Sequence, residues 1–287
     1  ANDAYIQMRP SDLNMSQKPQ GASVSQEFSQ TEEEFPEYSS LIYDGPFSDH
    51  VKSLEPKLLE SAYDVNKQKA QEAAAEFLGN DAVLELSHES NGLIPYYCFS
   101  YDDAATIEVS KKGGIVVSLC DNRELDTGTL NAEEALAAAQ RFLEARGYEG
   151  MKTSYYTVYE NTITVNFAAT VGDIIIYPDL IKVGIALDNG SVVRFDAAGY
   201  VMNHHEREIP EPTVSRDAAW ADIPESMEVV SENTALIPTS GKNEVLCYEF
   251  VCKDAQGRNA IIYVNTETGL QENIFLLIEN ENGVLTI

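Results

Sequence analysis

The chain has 287 residues, 44% of them hydrophobic, which is room for one large domain or several small ones and enough apolar material for real cores, so wholesale disorder is excluded. Lysine and arginine number 19 against 47 aspartates and glutamates, and the resulting formal net charge of -28 repels phosphate backbones and anionic headgroups. Nucleic-acid binding and a basic membrane-surface helix are poor fits, whereas encounter with a basic partner is favoured at low salt.

The sequence opens Ala1-Asn2-Asp3, with no initiator Met and no apolar signal core, and reads as a processed or truncated piece of a longer protein. No stretch approaches the roughly 18 apolar residues of a spanning helix, so this piece is not expected to contact a membrane itself. Residues 1–48, including Gln17-Lys18-Pro19-Gln20-Gly21 and Thr31-Glu32-Glu33-Glu34, are polar and lack a sustained period, as a partly extended tail or linker would be.

Self-comparison shows the organisation of the rest. Ala70, Ala74, Phe77 and Leu78 recur as Ala135, Ala139, Phe142 and Leu143, each displaced by 65 positions, and the spacing i, i+4, i+7, i+8 is one face of a helix. The second copy carries a capping-box pattern, Asn131 with Glu134, and a stop at Gly147. A third, shorter copy begins at Ser215, where Ala219-Trp220 echoes Ala135-Leu136, and Pro224 halts it.

After each helix the period switches to alternation. The first segment predicts strands over Val83–Leu86, Pro95–Tyr101, Thr106–Ser110 and Ile115–Leu119, with Lys111-Lys112-Gly113-Gly114 as a hairpin turn. The second predicts Thr153–Tyr159, Thr162–Ala168, Leu180–Leu187 and Val192–Asp196, the last two joined by Asp188-Asn189-Gly190-Ser191, whose Asn-Gly pair suits a tight hairpin. The third predicts Glu244–Lys253, Asn259–Val264, Leu270–Ile278 and a short Val284–Ile287. The expectation is an α+β fold of three tandem modules, residues 49–126, 127–209 and 210–287, each a helix packed on its own antiparallel sheet of three or four strands. Ile209-Pro210-Glu211-Pro212-Thr213 is the one stiff spacer.

Motifs of catalysis are sparse. No GxSxG elbow, HExxH pair, phosphate-cradling glycine loop, GxGxxG or EF-hand ladder occurs, and neither a catalytic residue nor a cofactor site is expected. His204-His205-Glu206-Arg207-Glu208 offers imidazole and carboxylate groups, but adjacent residues of an extended chain face opposite ways, so an exposed polar segment is a better reading than a metal site. Pairs such as Asp102-Asp103 and Glu206 with Glu208 are read as solvated faces. Trp220, Tyr96-Tyr97 and Tyr155-Tyr156 could form a carbohydrate platform, yet in an alternating strand one neighbour faces the core, and core packing is the better account. Cys98, Cys120, Cys247 and Cys252 read as small buried hydrophobes; Cys247 and Cys252 should face opposite ways, whereas Cys98 and Cys120 could meet across a sheet.

The helix patterned as Ala135-Leu136 to Phe142-Leu143, with strands closing in Ile262-Tyr263-Val264-Asn265-Thr266-Glu267-Thr268-Gly269, resembles the PepSY module. Longer stretches resemble the YpeB family of spore germination proteins: Leu41-Ile42-Tyr43-Asp44-Gly45-Pro46-Phe47-Ser48, then Tyr177-Pro178-Asp179-Leu180-Ile181-Lys182-Val183, then Gly199-Tyr200-Val201-Met202-Asn203-His204-His205. The resemblance implies the PepSY-bearing C-terminal part of a protein held outside the cytoplasm of the spore, between inner membrane and cortex, by an N-terminal segment absent here. It implies a non-enzymatic partner that stabilises and restrains the cortex-lytic enzyme SleB, a peptidoglycan lytic transglycosylase, until germination, when a protease cleaves the restraining protein. Peptidoglycan binding, or cortex hydrolysis by the chain itself, is the alternative. Met202, Asn203, His204, His205, Glu206 and Glu208 are the candidate contact segment, with an inter-module connector fixed by packing as the competing reading.

Overall fold

The computed structural model describes residues 55–79, 82–102, 104–221, 223–239, 244–280 and 283–286, so the tail and the Leu41–Ser48 stretch lie outside the described residues. Helix α1 (Lys67–Leu78) starts where the Asn66 side chain accepts from the Lys69 N–H, and α2 (Ala132–Glu144) starts with the full Asn131–Glu134 capping box. Both bury alanines, Ala70 and Ala74 in the first and Ala135 and Ala139 in the second, whose small side chains let each helix lie close to the sheet beneath it. A six-residue helix absent from the sequence reading, α3 (Ala198–Asn203), and the short α4 (Arg216–Trp220), capped by Ser215, complete the α-helices among the described residues, alongside a single 3-10 turn at Lys57–Leu59.

The strands are β1 (Glu85–Ser90), β2 (Tyr96–Tyr101), β3 (Ala105–Ser110), β4 (Val116–Asp121), β5 (Met151–Tyr159), β6 (Thr162–Val171), β7 (Ile174–Ala186), β8 (Val192–Asp196), β9 (Met227–Pro238), β10 (Glu244–Asp254), β11 (Asn259–Asn265), β12 (Gln271–Asn280) and β13 (Gly283–Thr286). Helix-then-meander order recurs along the chain, but the expectation of one sheet per module is corrected: all thirteen strands join a single sheet, ordered β1-β2-β3-β4-β8-β7-β6-β5-β13-β12-β11-β10-β9. The physical reason is edge removal. A three- or four-stranded meander leaves two rows of unpaired N–H and C=O groups, and pairing edge to edge satisfies them.

Two joins matter. Where β4 meets β8, antiparallel pairs Ser118↔Asp196, Leu119↔Phe195 and Cys120↔Arg194 produce a palindromic order, 1-2-3-4-8-7-6-5, centred on Leu119 and Phe195. Over this centre the repeat equivalents Phe77 and Phe142 meet edge to face at 5.6 Å, each also against Phe195, and the Arg146 guanidinium lies over the Phe142 ring at 3.7 Å. At the second join, Ile174–Ile176 of β7 pair in parallel with Thr234–Leu236 of β9. This closes a ring of pairings through β7, β6, β5, β13, β12, β11, β10 and β9.

Strand β9 was not anticipated. Its first half is largely exposed and polar, and its second half, Ala235 to Leu236 and Ile237, is buried on both faces and does not alternate. Cys247 and Cys252 do enter different apolar clusters, as their spacing predicts. Cys98 and Cys120 sit on β2 and β4 with β3 between them, and all four thiols are free.

Candidate interaction surface

Strand β7 changes partner halfway along. Ile174–Ile176 serve β9 and Lys182–Ile185 serve β8, while on the other edge the register against β6 jumps from Ala169↔Ile176 to Ala168↔Leu180. Tyr177, Pro178 and Asp179 are thus a bulge with no opposite residue, and Pro178 has no N–H for a ladder. Helix α3 packs on this bulge so closely that a side chain at Gly199 would stand 3.1 Å from the Leu180 carbonyl. The Asn203 amide donates to the carbonyls of Pro178 and Gly199, both at 3.0 Å.

The bulge aims Asp179 at Arg207. Arg207 donates through Nη1 and Nη2 to the two Asp179 oxygens at 2.8 and 2.7 Å, and through Nε and Nη2 to Glu244 of β10 at 2.8 and 2.9 Å. The two side chains are 5% and 1% exposed. Burial alone would lower the Arg207 pKa, but the bonds to Glu244 and Asp179 outweigh it and the pKa ends up raised. His204 Nδ1 lies 2.6 Å from Asp179 Oδ2 while its ring stacks on Tyr200 at 4.2 Å. A second network adjoins: the buried Glu249 carboxylate accepts from Tyr177 and Tyr263 through Oε2 and from Asn233 through Oε1. Burial, then the Glu249 charge for Tyr177 and the neighbouring Tyr177 and Glu249 charges for Tyr263, pushes both tyrosines well above their ordinary pKa.

The sequence reading has Met202 to Glu208 exposed; the structure corrects this for its first half. Met202 and Asn203 are buried, His204 and His205 are partly covered, and only Glu206 and Glu208 of the candidate set are open to solvent. The cause is α3, which turns the segment inward before Arg207 anchors it. His204 engages Asp179 and His205 engages the Asn203 carbonyl, so the two imidazoles have separate partners. Two of the three stretches that carry the family resemblance, Tyr177–Val183 and Gly199–His205, thus fold against each other. Of the aromatic candidates, Tyr97 and Tyr156 pack on the core while Tyr155 takes the opposite face, as alternation predicts; Trp220 is 45% exposed with its edge on Phe250, because α4 ends at that residue.

A different surface has the form of a binding site. Along β6, Ile163, Val165 and Phe167 face the helices, so Thr162, Thr164 and Asn166 face the other way, onto the floor of a groove of about 1020 Å³ between the β4–β8 strands and the segment after β4. Lys182, Arg194 and Arg123 line it, placing three of the chain's few cations together. Arg194 can lie over the floor because its cross-strand neighbour is Gly184, where a Cβ would come within 2.9 Å of the Arg194 Cβ. Asn166 is 3% exposed, and its Oδ1 has no hydrogen-bond partner. A buried acceptor left without a donor costs about 1–3 kcal/mol, which a bound donor would recover. The polar-apolar alternation of β6 is the sequence signal for this floor; the β7–β8 hairpin brings Lys182 and Arg194 together, and Arg123 joins them through the β4–β8 pairing.

Helices covering one face of a joined, largely antiparallel sheet, with a polar groove on the other, define an α+β protein with a candidate binding groove on its open sheet face. A family model for the YpeB sporulation protein, PepSY1 and PepSY2 domains, matches residues 24–210. The chain belongs to this YpeB family. Similar curated proteins, each named sporulation protein YpeB, come from Halalkalibacterium halodurans, 29% identical over 82% of this chain and 53% of that one, and Oceanobacillus iheyensis, 27% identical over 77% and 49%. A third, from Bacillus subtilis, is 25% identical over 73% and 48%. The chain therefore spans about half the length of the curated relatives it matches. The solved Bacillus megaterium YpeB C-terminal domain aligns at a TM-score of 0.68 with 25% identity, covering 75% of this chain and 99% of that domain. These names speak of sporulation and state no enzymatic activity.

Proposed function

We propose that this chain is the restraining part of a non-enzymatic germination regulator, one that stabilises the cortex-lytic transglycosylase SleB and holds it inactive between the spore's inner membrane and cortex until proteolysis releases it. The division into three PepSY-like modules, residues 49–126, 127–209 and 210–287, belongs to the same proposal. Family membership supports the sporulation setting. The observation that carries a binding role is the groove, where an unpaired buried acceptor, Asn166 Oδ1, lies among polar side chains on an open sheet face. Acidic side chains lining it, Asp121, Glu124, Glu160 and Asp196, steer a basic partner, and Glu206 and Glu208 stay exposed as candidate contacts outside the groove.

Titrating purified enzyme with this chain while following cortex cleavage tests the reading. Cleavage falling to a few per cent at stoichiometric chain, with Asn166→Leu or Arg194→Glu relieving the inhibition, is the expected result. Unchanged cleavage in excess chain sinks direct restraint by this region. The second reading, peptidoglycan binding, is favoured by the tyrosine, threonine and amide lining, which suits a glycan strand. It predicts saturable pull-down on purified sacculi without any enzyme present. Hydrolysis of those sacculi, lost on one carboxylate change, would overturn the non-enzymatic reading.

A further inference from the structure

The polar row that floors the groove continues beyond it. Following the register outward, Asp196 opposes Ser118, Ser118 opposes Glu108, Glu108 opposes Cys98 and Cys98 opposes His88. Directly opposite residues of an antiparallel pair lie on one face with Cβ atoms about 4.5–5.5 Å apart. Three successive strands, β1, β2 and β3, therefore present an imidazole, a thiol and a carboxylate side by side. One ligand atom from each, a ring nitrogen, the Sγ and a carboxylate oxygen, lies within 4.8 Å of the other two.

We propose that His88, Cys98 and Glu108 form a binding site for a divalent transition ion of the zinc class, with a fourth position left to water. The donor set is nitrogen, sulfur and oxygen, which suits a borderline-soft ion and not calcium or magnesium, whose ligands are all oxygen. Ligand bonds of about 2.0–2.3 Å require the donors to draw in by roughly 1 Å from their present spacing, within reach of side-chain rotation. Coordination displaces the Cys98 thiol proton to solvent, and thiolate and carboxylate then neutralise the ion's two charges.

Two features show that the arrangement goes beyond a chance gathering of polar groups. The β1–β2 register shifts between Leu86 and His88, so a bulge at Ser87 brings His88 opposite Cys98; without it Ser87 would stand there. Glu108 is also held from behind. Ser118 donates to its Oε2 at 2.8 Å and the Tyr96 hydroxyl bonds to the same carboxylate, the kind of outer support that orients a metal ligand. Access matches as well. Cys98 is 2% exposed at the base, Glu108 is half-buried and His88 is open to solvent, so the ion can reach the buried thiol from the solvent side of the imidazole. The ion would fasten β1, the edge strand at one end of the sheet order, to its two neighbours.

The test uses the full chain, reduced and stripped with a chelator, and titrated under argon with cobalt(II) alone. One equivalent should give a sulfur-to-cobalt charge-transfer band that zinc then displaces. Cys98→Ser should abolish the band, and Ser118→Ala should weaken binding about tenfold or more. Cys120→Ser, on β4 two residues beyond Ser118, should leave it unchanged. His88→Ala is the safeguard against misfolding, since that side chain touches no core: its circular dichroism should be unaltered while its cobalt affinity falls at least tenfold. Zinc at a hundredfold excess over its Kd should raise the thermal midpoint of the wild type by about 5–10 °C and that of His88→Ala far less. A wild-type spectrum without a sulfur band, a band that survives Cys98→Ser, or equal zinc stabilisation of His88→Ala overturns the proposal.

Discussion

Of the joins that make one sheet of three meanders, β4–β8 and β7–β9 each contain a largely covered arginine, and they use it differently. At the β4–β8 join Arg146 lies over Phe142 and Phe77 and donates to the Phe77 and Phe142 carbonyls, with Phe195 beneath and no carboxylate among its partners. At the β7–β9 join Arg207 is clamped between two carboxylates, Asp179 and Glu244. Ring packing is tolerant of small slips because dispersion and burial are non-directional. A guanidinium bonded twice to each of two acids is satisfied in one geometry only. The contrast follows from topology. The first join has a palindrome centred on one apolar pair to set its register, whereas the second has three parallel pairs beside a bulged strand and takes its register from the ionic clamp.

The largest expected effect comes from removing that clamp. Arg207→Ala leaves Asp179 and Glu244 facing each other with little solvent, and should cost about 3–5 kcal/mol in a urea melt. Replacing all three partners by apolar residues of similar volume, as in Asp179→Leu, Arg207→Met, Glu244→Leu together, removes the uncompensated charges. That triple should recover most of the loss in stability while broadening amide resonances around β7, β9 and β10. If the triple variant is as unstable as Arg207→Ala, the clamp is needed for stability and not for register.

Next in size is the matching change at the other join. Arg146→Met keeps the stem that covers the rings and gives up the cation-π contact and the two carbonyl bonds, a loss of about 1–2 kcal/mol by the same melt. It should stay well below Arg207→Ala because no buried carboxylate is stranded, and the lowering of the Arg146 pKa by burial marks an arginine that pays desolvation without a counter-ion. Equal losses for the two arginines would erase the distinction between the joins.

The apolar join was more legible in the sequence than the polar one, for a physical reason. The 65-residue displacement of Phe77 and Phe142 and the Asn131–Glu134 box are local patterns with a fixed period, and the hairpin at Asn189-Gly190 is a dipeptide signal. The polar join depends on residues distant in sequence: Asp179 reaches Arg207 through a three-residue bulge, and Glu244 reaches it from the far side of a strand, β9, whose half-exposed composition hid it. Helix α3 is too short to display a period, and its N-cap residue, Ala197, has no side-chain acceptor to announce it. The groove was half legible, since Thr162, Thr164 and Asn166 alternate with apolar neighbours and Lys182 and Arg194 share the β7–β8 hairpin, but Arg123 and the wall after β4 arrive only by the β4–β8 pairing. The His88, Cys98, Glu108, Ser118 row did leave a trace: each stands ten positions after the last, the stride of an even meander, visible once the register is known.

The smallest expected effect belongs to the ionic contact that does reinforce the apolar join. Arg123, just past β4, donates to both Asp188 oxygens at 2.8 and 2.9 Å, tying the exit of β4 to the β7–β8 turn. Those bonds, aided by the Asp126 backbone N–H, hold the Asp188 carboxyl at about 2, below the ordinary value near 3.9. A depressed folded pKa contributes stability that is present above the unfolded value and lost as the pH falls through the folded one. Urea midpoints of wild type and Asp188→Asn should therefore differ at pH 5, converge between about pH 4 and 2, and coincide below that. Because this contact lies nearer solvent than the Asp179 clamp, about 1 M salt should shrink the pH 5 difference while leaving the loss in Arg207→Ala nearly intact. A difference that is independent of both pH and salt would mean that Asp188 acts through the shape of its turn, and the β4–β8 join would then owe nothing to charge.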